Sequence, residues 1–309
     1  MRHSIEAFTL MFIFAAMATG PVHAQEETAD DAAQAQAGQD DEVATTPNNP
    51  AELLAEGAQG VLYDFYLMGE EGTNADLRFL HFKAEVTDEH IVFIFRNGSE
   101  EEIAHDEDKY DLEGQFVRGT RTESGGGRSS TWIAEPIGED EIEVTKMTSR
   151  NGGHAEIEQM TYAYDADSAG LPLVSFPLAF AYHIREEHDI FTADLGLTLL
   201  PNYNKTPIRF GNIGVEEIDF QGQRADAHVL FIEQDESLFG PGTMLYCLDD
   251  GTIARLVAPN GDLPAITFEY ATPEEIAEMF GEDALLEDVP GVEDEDVAAE
   301  DEEEPDDAE

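Results

Sequence analysis

The chain has 309 residues, with 69 Asp and Glu against 15 Lys and Arg, and its formal charge is −54. Across a Debye length of about 8 Å at physiological salt, such a field repels phosphate backbones and anionic headgroups, which argues against nucleic acid and charged membrane surfaces as partners. The lone cysteine, Cys247, rules out an intramolecular disulfide, and its apolar setting in Met244 to Leu248 makes it a small buried hydrophobe before a nucleophile.

At the start of the chain, Arg2 and His3 precede an apolar run from Ala7 to Ala18, and Val22-His23-Ala24 places small residues at −3 and −1 of a cut after Ala24. This pattern predicts a secretory signal peptide over 1–24. The run is shorter than the roughly 20 apolar residues of a spanning helix, so the expected mature chain is extracytoplasmic, periplasmic or secreted, with no membrane span. No cysteine follows the cut, so a lipidated N-terminus is not expected. Residues 25–52 carry 8 acids, no Lys or Arg and no aromatic residue; they read as a disordered acidic linker, because they cannot bury enough apolar surface to offset chain entropy.

A β-rich domain is expected over 53–280. Leu80, Phe82, Ala84 and Val86 alternate with His81, Lys83 and Glu85, the period of a strand with one dry face. Ile91 to Phe95 is apolar throughout, as in a strand covered on both faces. Strands follow at 116–121, 131–137, 141–148 and 154–164, with Asn151-Gly152-Gly153 turning the last two. The stretch 170–206 is apolar but interrupted by Pro172, Pro177 and Pro201, which bar a continuous strand or helix; it is expected to cross over beneath the sheet or to wall an apolar pocket. Strands resume at 213–220, 224–232, 244–248, 252–258 and 265–270, joined by loops so short that neighbours must be antiparallel. The domain is therefore either one unit or two halves, 53–165 and 207–280, joined by that connector. Thr272-Pro273-Glu274-Glu275 is a capping box opening a short helix, with Ile276 and Phe280 on one stripe. From Gly281 to Glu309 there are 16 acids and no Lys or Arg, a disordered like-charge tail suited to a cation or a basic protein. The expected fold class is mainly β: an antiparallel curved sheet or meander with one or two short packed helices.

Gly222-Gln223-Arg224-Ala225-Asp226-Ala227-His228-Val229-Leu230 and the run from Met244 to Leu256, with its Asp249-Asp250-Gly251 turn, resemble the paired strands of extracytoplasmic β-clam proteins, the group that includes the lipoprotein carriers. The resemblance implies a strongly curved sheet around a hydrophobic cavity closed by helices. It carries over no functional residue.

The motifs that would announce chemistry are incomplete. His183 and His188 are five apart, whereas zinc motifs set two histidines four apart on a helix; at that spacing they diverge by about 140° on a helix and face opposite sides of a strand. The loop at Asp165-Ala166-Asp167 lacks oxygen ligands at Ala169 and Phe176. Gly125-Gly126-Gly127-Arg128-Ser129-Ser130 lacks the ending of a phosphate loop. Asp106-Glu107-Asp108 reads as a hydrated carboxylate run, with weak calcium binding as the alternative. No catalytic residue, metal site or cofactor is assigned. The leading expectation is a non-enzymatic protein that binds an apolar or lipid-like ligand through Phe93, Trp132, Phe176 and Phe180, or that serves the cell envelope structurally. The alternatives are a carboxylate-dependent hydrolase and an interaction module whose tail recruits a basic partner.

Overall fold

The computed structural model describes residues 43–69, 78–99, 102–138, 140–150, 153–164, 171–196, 206–234, 242–260, 263–281 and 285. The expected signal peptide, most of the linker and nearly all of the tail lie outside them. In chain order the elements are β1 (Ala44–Thr45), α1 (Pro50–Leu53), β2 (Gly60–Gly69), β3 (Phe79–Val86), β4 (His90–Gly98), β5 (Glu102–Asp111), β6 (Phe116–Gly125), β7 (Arg128–Pro136), β8 (Glu141–Arg150), β9 (Glu156–Ala163), β10 (Leu171–Pro172), a 3-10 turn (Leu173–Ser175), α2 (Phe176–Arg185), β11 (Ile190–Gly196), β12 (Thr206–Phe220), β13 (Gln223–Gln234), β14 (Met244–Cys247), β15 (Ile253–Asn260), β16 (Leu263–Ala271) and α3 (Pro273–Phe280).

All strands belong to one curved sheet in the order β1-β11-β12-β13-β14-β15-β16-β2-β3-β4-β5-β6-β7-β8-β9, with β10 beside β11. Among the described residues the sheet does not close on itself. It is antiparallel apart from the short pairings of β1 and β10 with β11. The stretches 53–165 and 207–280 are consecutive parts of this sheet, because β16 pairs with β2 through Phe268 opposite Gly69 and Ala271 opposite Tyr66. Tight reversals follow from backbone chemistry: Gln221 and Gly222 both take positive φ between β12 and β13, as a two-residue hairpin turn requires.

The inner face carries one continuous core, from Phe65, Phe82, Phe93 and Phe95 on β2–β4 to Phe210, Ile232, Leu245 and Phe268 on β12–β16. The 3-10 turn and α2 lie against it: Leu171, Val174, Phe176, Phe180 and His183 are all buried. The connector is not one continuous element, and a short helix, α2, starts within it at Phe176. Pro177 sits in the first turn of α2, where its missing N–H has no intrahelical partner to lose. Gly251, at φ 87°, lies so close to the Pro177 carbonyl that a β-carbon would collide with it, so the turn after β14 seats the helix.

Three expectations change. The part of the linker within the described residues, 43–52, is folded: Thr46 N–H bonds the Thr192 carbonyl at 2.8 Å, Asn49 caps α1 through Ala51 N–H, and Leu53 is buried. The strand β3 is covered on both faces, with His81 and Lys83 buried beside Phe82 and Ala84. The acidic stretch around Asp106 forms β5 between β4 and β6, because its pairing partners supply what its own composition does not. The capping box stands as read, with Thr272 Oγ1 accepting from Glu275 N–H and Glu275 Oε2 accepting from Thr272 N–H. Ile276 and Phe280 of α3 pack on the outer face with Tyr66, Phe79 and Ala271. No helix among the described residues is long and apolar enough to cross a membrane.

Candidate functional site

One row of directly opposed residues on the inner face crosses eight strands and changes character midway. It runs Phe65, Phe82, Phe95, Asp106, Arg121, Trp132, Lys146, Glu158. The first three form a ring stack, with centroids 5.4 Å apart for Phe65 and Phe82 and 5.1 Å for Phe82 and Phe95. Beyond them the row is ionic and then amphipathic.

Strand alternation explains the ionic part. In β5 residues 106 and 108 point inward, while Glu107 points outward and pairs with Lys109 at 2.8 Å. Arg121 donates from Nε and Nη2 to Glu123 Oε1 at 2.9 and 2.6 Å, and Nη1 lies 3.5 Å from Asp106 Oδ1. Only 8% of the Arg121 side chain and 16% of the Asp106 side chain are exposed. Burial pushes the Asp106 carboxyl above its ordinary range, with Arg121 opposing and Glu123 reinforcing. The two carboxylates in turn raise Arg121 against the effect of its own burial. This triad seals the end of the phenylalanine wall with a fixed cation.

Past the triad the inner face opens. Trp132 is half-buried against the core and lies under Lys146, whose Nζ is 5.3 Å from the ring centroid, a cation–π contact. Ala134, Ile142 and Val144 are buried, whereas Met160 and Tyr162 beside them on β9 are only partly covered. Tyr164, also half-buried, reaches Phe116 at 6.0 Å. The lip formed by β7–β9 is therefore an apolar, aromatic margin with one lysine over it.

Of the four residues expected to meet a ligand, Phe93, Phe176 and Phe180 are at most 1% exposed and lie within the core. Phe176 and Phe180 stack at 4.0 Å and both contact Phe210, and Phe93 packs edge-on to Tyr110. Trp132 alone of the four stands at the margin. All four adjoin the same core cluster.

A second constellation lies where α2 ends. The helix stops at Arg185, Glu187 takes positive φ, and His188 N–H bonds the His183 carbonyl. The reversal sets the two Nδ1 atoms 2.9 Å apart, while His183 Nε2 lies 2.7 Å from Thr46 Oγ1. A spacing of five sets two rings apart only in a regular helix or strand, and here the helix ends between them. His183 is fully buried and stacks on Phe191 at 3.9 Å; burial, with His188 adding to it, lowers its pKa to about 3. With His183 held neutral, both of its ring nitrogens have partners: Thr46 Oγ1 at Nε2 and His188 Nδ1 at Nδ1. This contact ties the residue after β1 to the last turn of α2. Among the described residues no three His, Cys, Asp or Glu gather as a metal centre would need.

No known protein family matches the chain, and neither does any curated protein. Among solved structures, it is similar to a β-barrel-like protein of a domain of unknown function, DUF1849, from Brucella abortus, at 6% identity and a TM-score of 0.39, over 75% of this chain and 98% of that one.

Proposed function

We propose that the chain is an exported, non-enzymatic β-protein that holds an amphiphile on the inner face of β7–β9. The apolar part lies along Trp132, Met160 and Tyr162, and the polar end meets Lys146. The observation that carries this reading is the half-covered aromatic margin of Trp132, Met160 and Tyr162, which edges the apolar face beyond Arg121 and its carboxylates. Burying one such aromatic surface contributes about 1.5–3 kcal/mol, and several together suit a lipid-like chain. Phe93, Phe176 and Phe180 act one layer back, as the rigid wall that fixes the strands presenting the margin. The export signal over 1–24 and the acidic surface fit a carrier that moves between compartment walls without adhering to anionic headgroups.

The test uses the single Trp132 as its own reporter. Titration of delipidated protein with a long-chain lysophospholipid should shift the Trp132 emission to the blue. At a hundredfold excess over Kd it should also stabilise the fold by about 2.7 kcal/mol. Trp132→Ala should abolish that stabilisation while leaving the far-ultraviolet spectrum unchanged. An emission and a melting temperature that ignore the amphiphile would contradict the proposal.

A further inference from the structure

Residues 44–53 join two parts of the sheet that lie far apart along it. At one end β1 runs parallel to β11, Ala44 opposite Phe191 and Thr45 opposite Thr192, and Thr46 N–H continues to the Thr192 carbonyl at 2.8 Å. Asn49 Nδ2 then donates to the Glu113 carbonyl at 2.8 Å, in the turn between β5 and β6. Gly114 of that turn lies so close to the Asn49 amide that a β-carbon would collide with it. From β11 to β5 the path through the sheet crosses nine inter-strand steps, about 43 Å at the usual spacing. The chain from Thr46 to Asn49 spans at most about 10 Å. The sheet therefore curls until the two regions are neighbours, and this short segment clasps them.

The clasp is also fastened to α2. The Leu53 side chain is buried in the core and its carbonyl accepts from Arg185 Nη2 at 3.4 Å. Thr46 is 2% exposed, and its hydroxyl meets His183 Nε2 at 2.7 Å. The His183 ring is enclosed by Phe191 of β11, stacked at 3.9 Å, by Tyr182 edge-on and by His188, Nδ1 to Nδ1 at 2.9 Å. The other charged side chains of this corner, Arg185, Glu186, Glu187 and Asp189, are exposed. A proton on His183 would place a charge inside the enclosure, and a second on His188 would set two cations face to face.

We infer that residues 44–53 form an acid-released clasp, which holds β11 against the β5–β6 turn at neutral pH and detaches when the His183–His188 pair takes up protons. The device needs no ligand on β7–β9. Its direction follows from linkage: burial, with His188 adding to it, holds His183 at about 3 in the closed form, whereas a released ring returns towards its ordinary 6.5. Between those values the open form binds a proton that the closed form refuses, so at pH 5 opening is favoured by up to about thirtyfold over neutral pH.

Amide exchange of the full chain at pH 7 and pH 5, corrected for the intrinsic effect of pH, tests this. Protection over 44–53 should fall at least about tenfold at pH 5. These amides should exchange ahead of Gln223–Gln234 and independently of dilute guanidinium, the mark of a local opening. His183→Gln, which cannot charge, should keep its protection at pH 5 within about threefold of its value at pH 7. Thr46→Val leaves both rings in place and should lower protection over 44–53 about fivefold at pH 7. Protection that ignores pH, that falls equally in His183→Gln, or that is lost only together with Gln223–Gln234 would overturn the inference, as would a Thr46→Val clasp as tight as the native one.

Discussion

The inner face of this sheet is two surfaces. Over β2–β4 it is a phenylalanine wall covered by the 3-10 turn that leads into α2, and over β7–β9 it is a half-covered margin of Trp132, Met160 and Tyr162. Both use the same strand alternation, so the difference lies in what packs on top. The first surface supplies stability, because its side chains are fully enclosed by packing against one another and against the connector. The second has apolar area left over, and Arg121 with Asp106 and Glu123 marks the border between them.

Substitutions on the two sides of that border should therefore differ in kind. Phe180→Ala opens a cavity among Phe176, Phe191 and Phe210 and should cost about 3–5 kcal/mol in chemical denaturation; a loss below about 1 kcal/mol would mean that α2 does not fill the sheet. Arg121→Ala strands two carboxylates at the border. It should cost about 3 kcal/mol at neutral pH, with part of the loss recovered in acid as Asp106, already raised by burial, takes up a proton. Gly251→Ala forces a β-carbon against the Pro177 carbonyl at a positive φ and should cost about 1–3 kcal/mol.

The histidine pair at the end of α2 supplies a pH-dependent term. His183 is held neutral, with a folded pKa of about 3 against an ordinary 6.5. Between these values the unfolded chain binds the proton and the folded chain does not, so stability falls as pH drops below about 6.5. The expected loss is roughly 1–2 kcal/mol by pH 5, and His183→Gln should flatten that part of the profile in melts run across pH. An unchanged slope would mean that other groups carry it. The smallest effect is expected across the border: Trp132→Ala should cost about 1 kcal/mol in the absence of ligand, since the ring is only half-buried.

Much of this fold is legible locally. The alternation of Leu80 to Val86, the fully apolar Ile91 to Phe95, the Gly222 and Gly251 turns and the Thr272 capping box each encode their own geometry within a few residues. What is not legible depends on distant partners. Nothing within β5 marks Asp106 as buried, because Arg121 covers it from the neighbouring strand. His81 and Lys83 read as a wet face, although the adjacent β4, apolar on both sides, already implies that the outer face is covered there. Asn49-Pro50 is a helix start by its own chemistry, an N-cap followed by proline in the first turn, but it is masked by the acidic, aromatic-free stretch that precedes it. The His183–His188 contact was hidden because it depends on where the helix stops, and the stop is made by Glu187 in a left-handed conformation, which no glycine advertises.

Amide hydrogen exchange followed strand by strand, with and without a lysophospholipid, tests the division of the inner face most directly. Exchange should be slow in Phe79–Val86 and His90–Gly98 and indifferent to the amphiphile, and faster in Glu141–Arg150 and Glu156–Ala163, where it should slow at least about tenfold when the amphiphile is added, as expected when a ligand binds the folded state alone. Uniform protection across all four strands, or an amphiphile that slows none of them, would contradict that division.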